Sequence, residues 1–275
     1  MGLISLAAIL IGICLGWVAL YQIVKSISSY PSNKHICLLI AHPDDEAMFF
    51  SPTVIRLADP TLNNTFEILC LCPGQEPTLR SSRTSELIHS ASNLGLDSPK
   101  RVTVIDDEDS FPDSMTIFWS AEKIAKVLSS HFSTEPAAPG SGPDMLITFE
   151  NHGISSHANH ISLLHGATYW LKHMSAQSRN AVALYSLTTT NLVRKYTSLL
   201  DAPLSLLLYL TRHNSASTTA TGFADRYIFF SAFSSYRRAQ RSMTACHKSQ
   251  MLWFRYGWIA LSRYVSTNDL QRINV

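Results

Sequence analysis

The chain is predicted to be an α/β protein: an open, mostly parallel sheet with flanking helices, preceded by one membrane-spanning helix. Three observations predict this. Short apolar runs alternate with amphipathic segments, the pattern of parallel strands covered on both faces. Two of those runs end in clusters of His and Asp, and open α/β sheets gather their ligands beyond the carboxyl ends of the strands. Finally, residues 2–24 carry no charged side chain, long enough to cross a bilayer as a helix.

The N-terminal segment comes first. Trp17 and Tyr21 lie near its end, where amphipathic rings favour the headgroup layer. Lys25 and Lys34 follow it and no Lys or Arg precedes it, so the positive-inside rule puts the remainder in the cytosol. A cleaved signal peptide would need a basic n-region and a small-residue cleavage site, and neither is evident. The Met1-Gly2 start would suit myristoylation, but Leu6 stands where Ser or Thr is required. Asn63-Asn64-Thr65 is a glycosylation sequon; a cytosolic domain predicts no glycan at Asn63. Residues 1–34 are therefore read as anchor and linker, and 35–275 as one domain.

Within that domain, strands are predicted over 36–41, 66–72, 102–105, 145–149 and 182–187. Helices are predicted over 47–57, 80–94 (stopped by Gly95), 116–130 and 157–172. Residues 135–143 form a Pro/Gly-rich loop and 211–221 a Ser/Thr-rich loop. Residues 199–210 are apolar but contain Asp201 and Pro203 and are too short to cross a bilayer. The tail over 242–265 reads as a helix rich in aromatics, with Arg255 and Arg263 among them. It either packs on the sheet or lies on the membrane surface.

Composition narrows the classes. A chain of 275 residues buries one sizeable core. A net charge of +2, with no basic stripe interleaved with aromatics, argues against a nucleic-acid partner. Five cysteines, an odd count without a CxxC pair, read as small buried hydrophobes in a reducing compartment.

The chemistry sits at two strand ends. His42-Pro43-Asp44-Asp45-Glu46 follows the first strand, and His157-Ala158-Asn159-His160 follows the run over 145–149. Pro43 holds His42 extended and so ends the strand. Asp44 and Asp45 then occupy a turn where neighbouring side chains diverge. On a helix His157 and His160, three apart, share a face. Two His and one Asp around zinc leave a position open for water. Zinc lowers the pKa of water, a carboxylate serves as general base, and a second His steadies an oxyanion or protonates an amine. The spacing does not apportion those roles. Taken singly, each cluster also suits a helix start, where acids favour the dipole; their joint placement at strand ends favours a metal. The other histidines lack this context, although His152 and His165 are near enough in sequence to support the ligands.

These motifs resemble the LmbE-like zinc deacetylases. Ala41-His42-Pro43-Asp44-Asp45-Glu46 and Gly153-Ile154-Ser155-Ser156-His157-Ala158-Asn159-His160 carry the superfamily resemblance. His247-Lys248-Ser249-Gln250-Met251-Leu252-Trp253-Phe254-Arg255 and Ser262-Arg263-Tyr264 are similar to the tail of the PIG-L type, the N-acetylglucosaminyl-phosphatidylinositol (GlcNAc-PI) de-N-acetylases. The likeness runs from about Cys37 to Asn268 and includes the anchor. It implies a Rossmann-like sheet, with His42, Asp45 and His160 as zinc ligands, Asp44 as general base and His157 as oxyanion stabiliser. It also implies that Arg83, in Arg83-Thr84-Ser85-Glu86-Leu87, lies at the substrate pocket, where guanidinium suits phosphate. The alternative for Arg83 is an ion pair with Glu86 on an exposed helix. Two departures stand out. Glu150 follows Phe149 where the family has Asp, and Ser156 replaces a glycine. Glu150 is expected to orient a histidine.

The resemblance implies removal of the N-acetyl group from GlcNAc-PI in GPI-anchor synthesis, at the cytosolic face of the endoplasmic reticulum membrane. Two alternatives are a membrane deacetylase of another amino-sugar conjugate, and a membrane-anchored binding protein with a degenerate zinc site.

Overall fold

The computed structural model of the chain describes residues 3–132, 142–174, 182–212 and 222–275, and in the first helix the side chains of residues 8 and 11–27. In chain order the elements are α1 (Leu3–Ile27), β1 (His35–Ile40), α2 (Asp45–Met48), α3 (Ser51–Leu57), β2 (Thr65–Cys70), α4 (Arg80–Leu94) and β3 (Val102–Val104). There follow α5 (Ala121–Phe132), β4 (Met145–Phe149), α6 (Ala158–His173), β5 (Ala183–Leu187), α7 (Leu192–Lys195) and α8 (Ala202–Arg212). The last four are β6 (Arg226–Phe230), α9 (Phe233–Arg241), α10 (Trp253–Leu261) and β7 (Thr267–Arg272).

The strands form one sheet in the order β3-β2-β1-β4-β5-β7-β6. The first five are parallel. β1 and β4 are buried almost end to end, as strands covered on both faces should be. The chain runs outward from β1 through β2 to β3, then returns to place β4 on the other side of β1. That reversal makes the gap beyond β1 and β4 the topological switch point, where open sheets bind ligands. Helices α5 and α6 pack closely against each other, because Gly166 has no side chain. A Cβ there would stand 2.4 Å from Cβ and Cγ2 of Ile124.

Several expectations change. The helix expected over 47–57 is two helices, broken at the buried Phe49 and Phe50. Pro52 stands in the first turn of α3, where a missing N–H costs nothing. The helix expected from residue 116 begins at Ala121. The tail is not one helix. It comprises a π turn (Ser242–Cys246), a 3-10 turn (Lys248–Gln250), α10, and a second 3-10 turn (Arg263–Val265) capped by Ser262. Strands β6 and β7 were not anticipated, and both pairings of β7 are antiparallel. β7 reads Thr-Asn-Asp-Leu-Gln-Arg and carries no strand pattern. Tertiary bonds hold it: Asn268 accepts from Thr53 Oγ1 (2.8 Å) and donates to the Phe49 carbonyl (2.9 Å).

α1 packs on the β6 edge. Trp17, Leu20, Tyr21 and Val24 meet Ile228, Phe230 and Leu206, and Trp17 Nε1 donates to the Ser231 carbonyl at 2.8 Å. Among the described residues no helix is long and apolar enough to cross a membrane; the span expected over residues 2–24 begins outside them. The two loops expected over 135–143 and 211–221 also lie largely outside the described residues, as does His213.

Candidate metal centre and active site

β1 ends at Ile40, and Ala41 and His42 run straight into the switch point. The next turn is strained: Asp44 has φ 122°, a region that L residues seldom occupy. The turn separates the two aspartates. Asp45 points inward, and its Oδ2 accepts the amides of Ala41 (3.1 Å) and His42 (2.9 Å). Its Oδ1 faces His160 Nε2 at 3.1 Å. Asp44, also buried, pairs with the Arg255 guanidinium.

On the facing side, β4 leads into a turn with Gly153 at φ 54°, Ile154 at φ 60° and Ser156 at φ 57°. His157 caps α6, its Nδ1 accepting the Asn159 amide at 3.3 Å. His160, on the first turn of α6, lies 3.1 Å from the Gly153 carbonyl through Nδ1. That contact requires a proton on Nδ1 and leaves a lone pair on Nε2.

The hydrogen-bond network also sets the tautomer of His42. The Asn159 carboxamide is oriented at both ends, with Nδ2 donating to the Ile117 carbonyl (3.0 Å) and Oδ1 accepting from the Ser114 amide (2.9 Å). His42 Nε2 lies 3.2 Å from that same Oδ1 and 3.2 Å from Asp113 Oδ1, both acceptors. Nε2 therefore carries a proton, and Nδ1, 3.9 Å from Asp45 Oδ2, turns inward.

His42, Asp45 and His160 are buried and offer ligand atoms within 4.8 Å of one another, a set able to hold a metal ion. The fit is tested at His160. Its Nε2 is buried and makes no hydrogen bond, although a carboxylate oxygen lies close by. A lone pair facing a carboxylate across that distance calls for a cation between them. Each ligand is fastened by its other atom, as metal ligands commonly are. His42, Asp113 and His157 form a second, less buried set sharing His42; the orphaned Nε2 favours the first.

Electrostatics agree. Burial pushes the Asp45 carboxyl up, but the neighbouring His160 and the His42 ring and amide outweigh it and hold the group well below its usual range. Burial likewise penalises an Asp113 carboxylate, yet the His42 hydrogen bond and charge bring it down to about 2. His157 is lowered to about 4 by burial and by the neighbouring His160 and His42. At neutral pH it is an uncharged ring with Nδ1 occupied as acceptor, so Nε2–H is its donor.

Arg83 is buried. Its Nη2 donates to the Pro43 carbonyl at 3.3 Å, and Nη1 lies 3.9 Å from Asp113 Oδ2. The alternative pairing with Glu86 is not formed; Glu86 instead accepts from the Ser249 amide and hydroxyl. The guanidinium fits because residue 74 is glycine: a Cβ there would lie 1.6 Å from Nη1. Glu150 does not orient a ligand histidine. It accepts the Thr189 amide (2.7 Å) and meets the exposed His152 (3.4 Å), while a backbone carbonyl positions His160. Sequence reasoning missed Asp113, Asn159, Arg255 and the buried pair between Glu46 and His247, joined at 2.6 Å. Glu46 and Asn159 lie inside the two clusters and His247 and Arg255 inside the tail motif, but nothing local gave them these contacts, and Asp113 lies in no motif.

Comparison with known proteins shows the family. The family model PIG-L, GlcNAc-PI de-N-acetylase, matches residues 37–170. The N-acetylglucosaminyl-phosphatidylinositol de-N-acetylase of Arthroderma benhamiae is 37% identical, covering 88% of this chain and 88% of its own. The chain belongs to the PIG-L family. The PIG-L protein of that name from Bos taurus is 34% identical, over 85% of this chain and 81% of its own. Among solved structures, N,N′-diacetylchitobiose deacetylase from Pyrococcus horikoshii matches with a TM-score of 0.51 at 13% identity, over 87% of this chain and 84% of that one. A zinc-inhibited form of teicoplanin deacetylase matches at 0.52 and 12% identity, over 87% and 99%. These two show that this chain shares the fold of those deacetylases.

Proposed function

We propose that this chain is a zinc-dependent hydrolase that removes the N-acetyl group from GlcNAc-PI. The observation that carries the reading is the buried His160 Nε2, without a hydrogen bond, facing Asp45 at the sheet's switch point. His42, Asp45 and His160 would hold the metal, His42 through Nδ1. When bound, zinc supplies a Lewis acid that activates water and the acetyl carbonyl.

The remaining roles follow from the side chains. Asp44 takes a proton from water as general base. Arg255, paired with Asp44, fixes the direction of that carboxylate. Water oxygen bonds to the acetyl carbon, the C–N bond breaks, and the proton passes to the leaving nitrogen, giving acetate and an amine. His157 donates Nε2–H to the developing oxyanion as a neutral donor, in keeping with its lowered pKa. Arg83, beside Asp113, is assigned to the substrate side as a fixed positive charge.

We further read residues 1–34 as an anchor in the endoplasmic reticulum membrane and 35–275 as a cytosolic domain, with α10 on the membrane surface. The support is the uncharged segment 2–24 followed by Lys25 and Lys34, and the exposed Leu252, Trp253 and Phe254. Tethering raises the effective concentration of a substrate confined to the bilayer.

The test is full-length protein with GlcNAc-PI in mixed micelles and zinc, following release of acetate. Asp44→Asn and His160→Ala should lose turnover, and His160→Ala should also lose zinc. Full turnover in either variant removes the assigned roles. A glycan on Asn63 would reverse the orientation.

A further inference from the structure

Outside the metal site, cations converge between α9 and α10. Arg237 and Arg241 lie one helical turn apart, both exposed, and neither has an ion pair or hydrogen bond among the described residues. With Gln240, Thr244 and Tyr256 they line an open cavity of about 260 Å³ whose wall contains no Asp or Glu. Left unpaired, such charges suit an anion.

Helix α10, which gives Tyr256, Ile259 and Ala260 to the wall, is largely apolar toward solvent. α10 and its approach expose Leu252, Trp253, Phe254, Tyr256 and Leu261, and Trp253 is 86% exposed. Large aromatics beside exposed cations suit the interface of a bilayer. A soluble anion would gain nothing from these exposed apolar side chains. The same elements reach both the anchor and the chemistry. Trp17 of α1 packs edge-on against Phe233 (5.5 Å) and Tyr236 (5.3 Å) of α9. On α10, Arg255 pairs with Asp44, and Trp258 meets Phe49 at 5.3 Å.

We infer that the groove between α9 and α10 binds the phosphate of an anionic bilayer phospholipid, distinct from the substrate, seating Trp253 and Phe254 in the headgroup layer. Arg237 and Arg241 clamp the phosphate while the aromatics enter the interface. This deepens, and rests on, the reading of α10 as an interfacial helix. Its consequence is orientation: the helix that contacts Asp44 is held at the depth where a lipid-borne sugar is presented.

The experiment uses full-length protein in neutral detergent with equal amounts of phosphatidylserine and phosphatidylcholine, and native mass spectrometry to read retained lipid. Wild type should retain phosphatidylserine in preference. Losing each cation should lower that retention about five-fold, and Arg237→Ala with Arg241→Ala about thirty-fold, on the scale of a basic residue at an anionic surface. Lys100→Ala, on an exposed turn elsewhere, should change nothing. Equal retention of the two lipids, or undiminished phosphatidylserine in the double variant, overturns the inference. So does complete displacement by excess inorganic phosphate, which would mark a soluble-anion site. His160→Ala should lose turnover yet keep the lipid. Wild type that holds phosphatidylserine but does not deacetylate GlcNAc-PI would refute the proposed reaction and leave the groove standing.

Discussion

Removing His247 isolates a buried carboxylate, and the cost can be worked from its surroundings. Glu46 and His247 are both fully buried, with His247 Nε2 at 2.6 Å from Glu46 Oε1. In His247→Ala, Glu46 keeps Ser90 Oγ on Oε1 and the Asp44 amide on Oε2 at 3.1 Å. Breaking a buried ion pair from one side costs about 3–5 kcal/mol. The two surviving hydrogen bonds place the expected loss near the lower end, about 3 kcal/mol, or roughly 6–12 °C in Tm for a chain of this size. The sign of the pH dependence follows from the His247 pKa. Burial alone would lower it, but the Glu46 charge and hydrogen bond outweigh burial and raise it. A raised pKa makes the stabilisation complete below the unfolded value of about 6.5, and lost as pH rises through the folded value. The gap between wild type and His247→Ala should therefore be widest in mild acid and narrow in alkali. Unfolding of full-length protein in detergent, with chelator present to remove any contribution from metal, measures it. Glu46→Gln combined with His247→Ala should be more stable than the sum of the single changes, because no charge is stranded. A His247→Ala protein within about 1 kcal/mol of wild type at every pH would refute the reasoning, since that is below the cost of an unpaired buried charge.

Three further outcomes are expected. Asn159→Ala frees His42 Nε2 from an oriented acceptor, so zinc affinity should fall about 10–100-fold, read by competition with a chromogenic chelator; unchanged affinity would dissociate Asn159 from the site. Ser156→Gly relieves a positive φ at an exposed position and should stabilise by up to about 1 kcal/mol once the entropy of glycine is offset; a lower Tm would contradict this. Gly166→Ala gains about 1 kcal/mol in helix propensity but sets Cβ against Cβ of Ile124, a clash that no rotamer relieves. Overpacking should win, with a net loss of about 1–2 kcal/mol, and a rise in Tm would show that α5 and α6 separate freely.

The sequence by itself determined much of the fold and the heart of the candidate site. The apolar runs that became β1, β2, β4 and β5 are covered on both faces, so hydrophobicity alone marks them. His42 and His160 could be brought together because the segments bearing them leave neighbouring strands of a parallel sheet. What only the tertiary structure decided was everything paid for by long-range contact. β7 is a polar hexapeptide made into a strand by partners on either side and by Asn268 reaching back to Thr53. Arg255 and His247 come to Asp44 and Glu46 across 211 and 201 residues, and Asp113 reaches His42 from a loop without local pattern. Periodicity reports which side of a segment faces apolar matter. It carries nothing about which polar groups meet inside, because that depends on how distant elements pack.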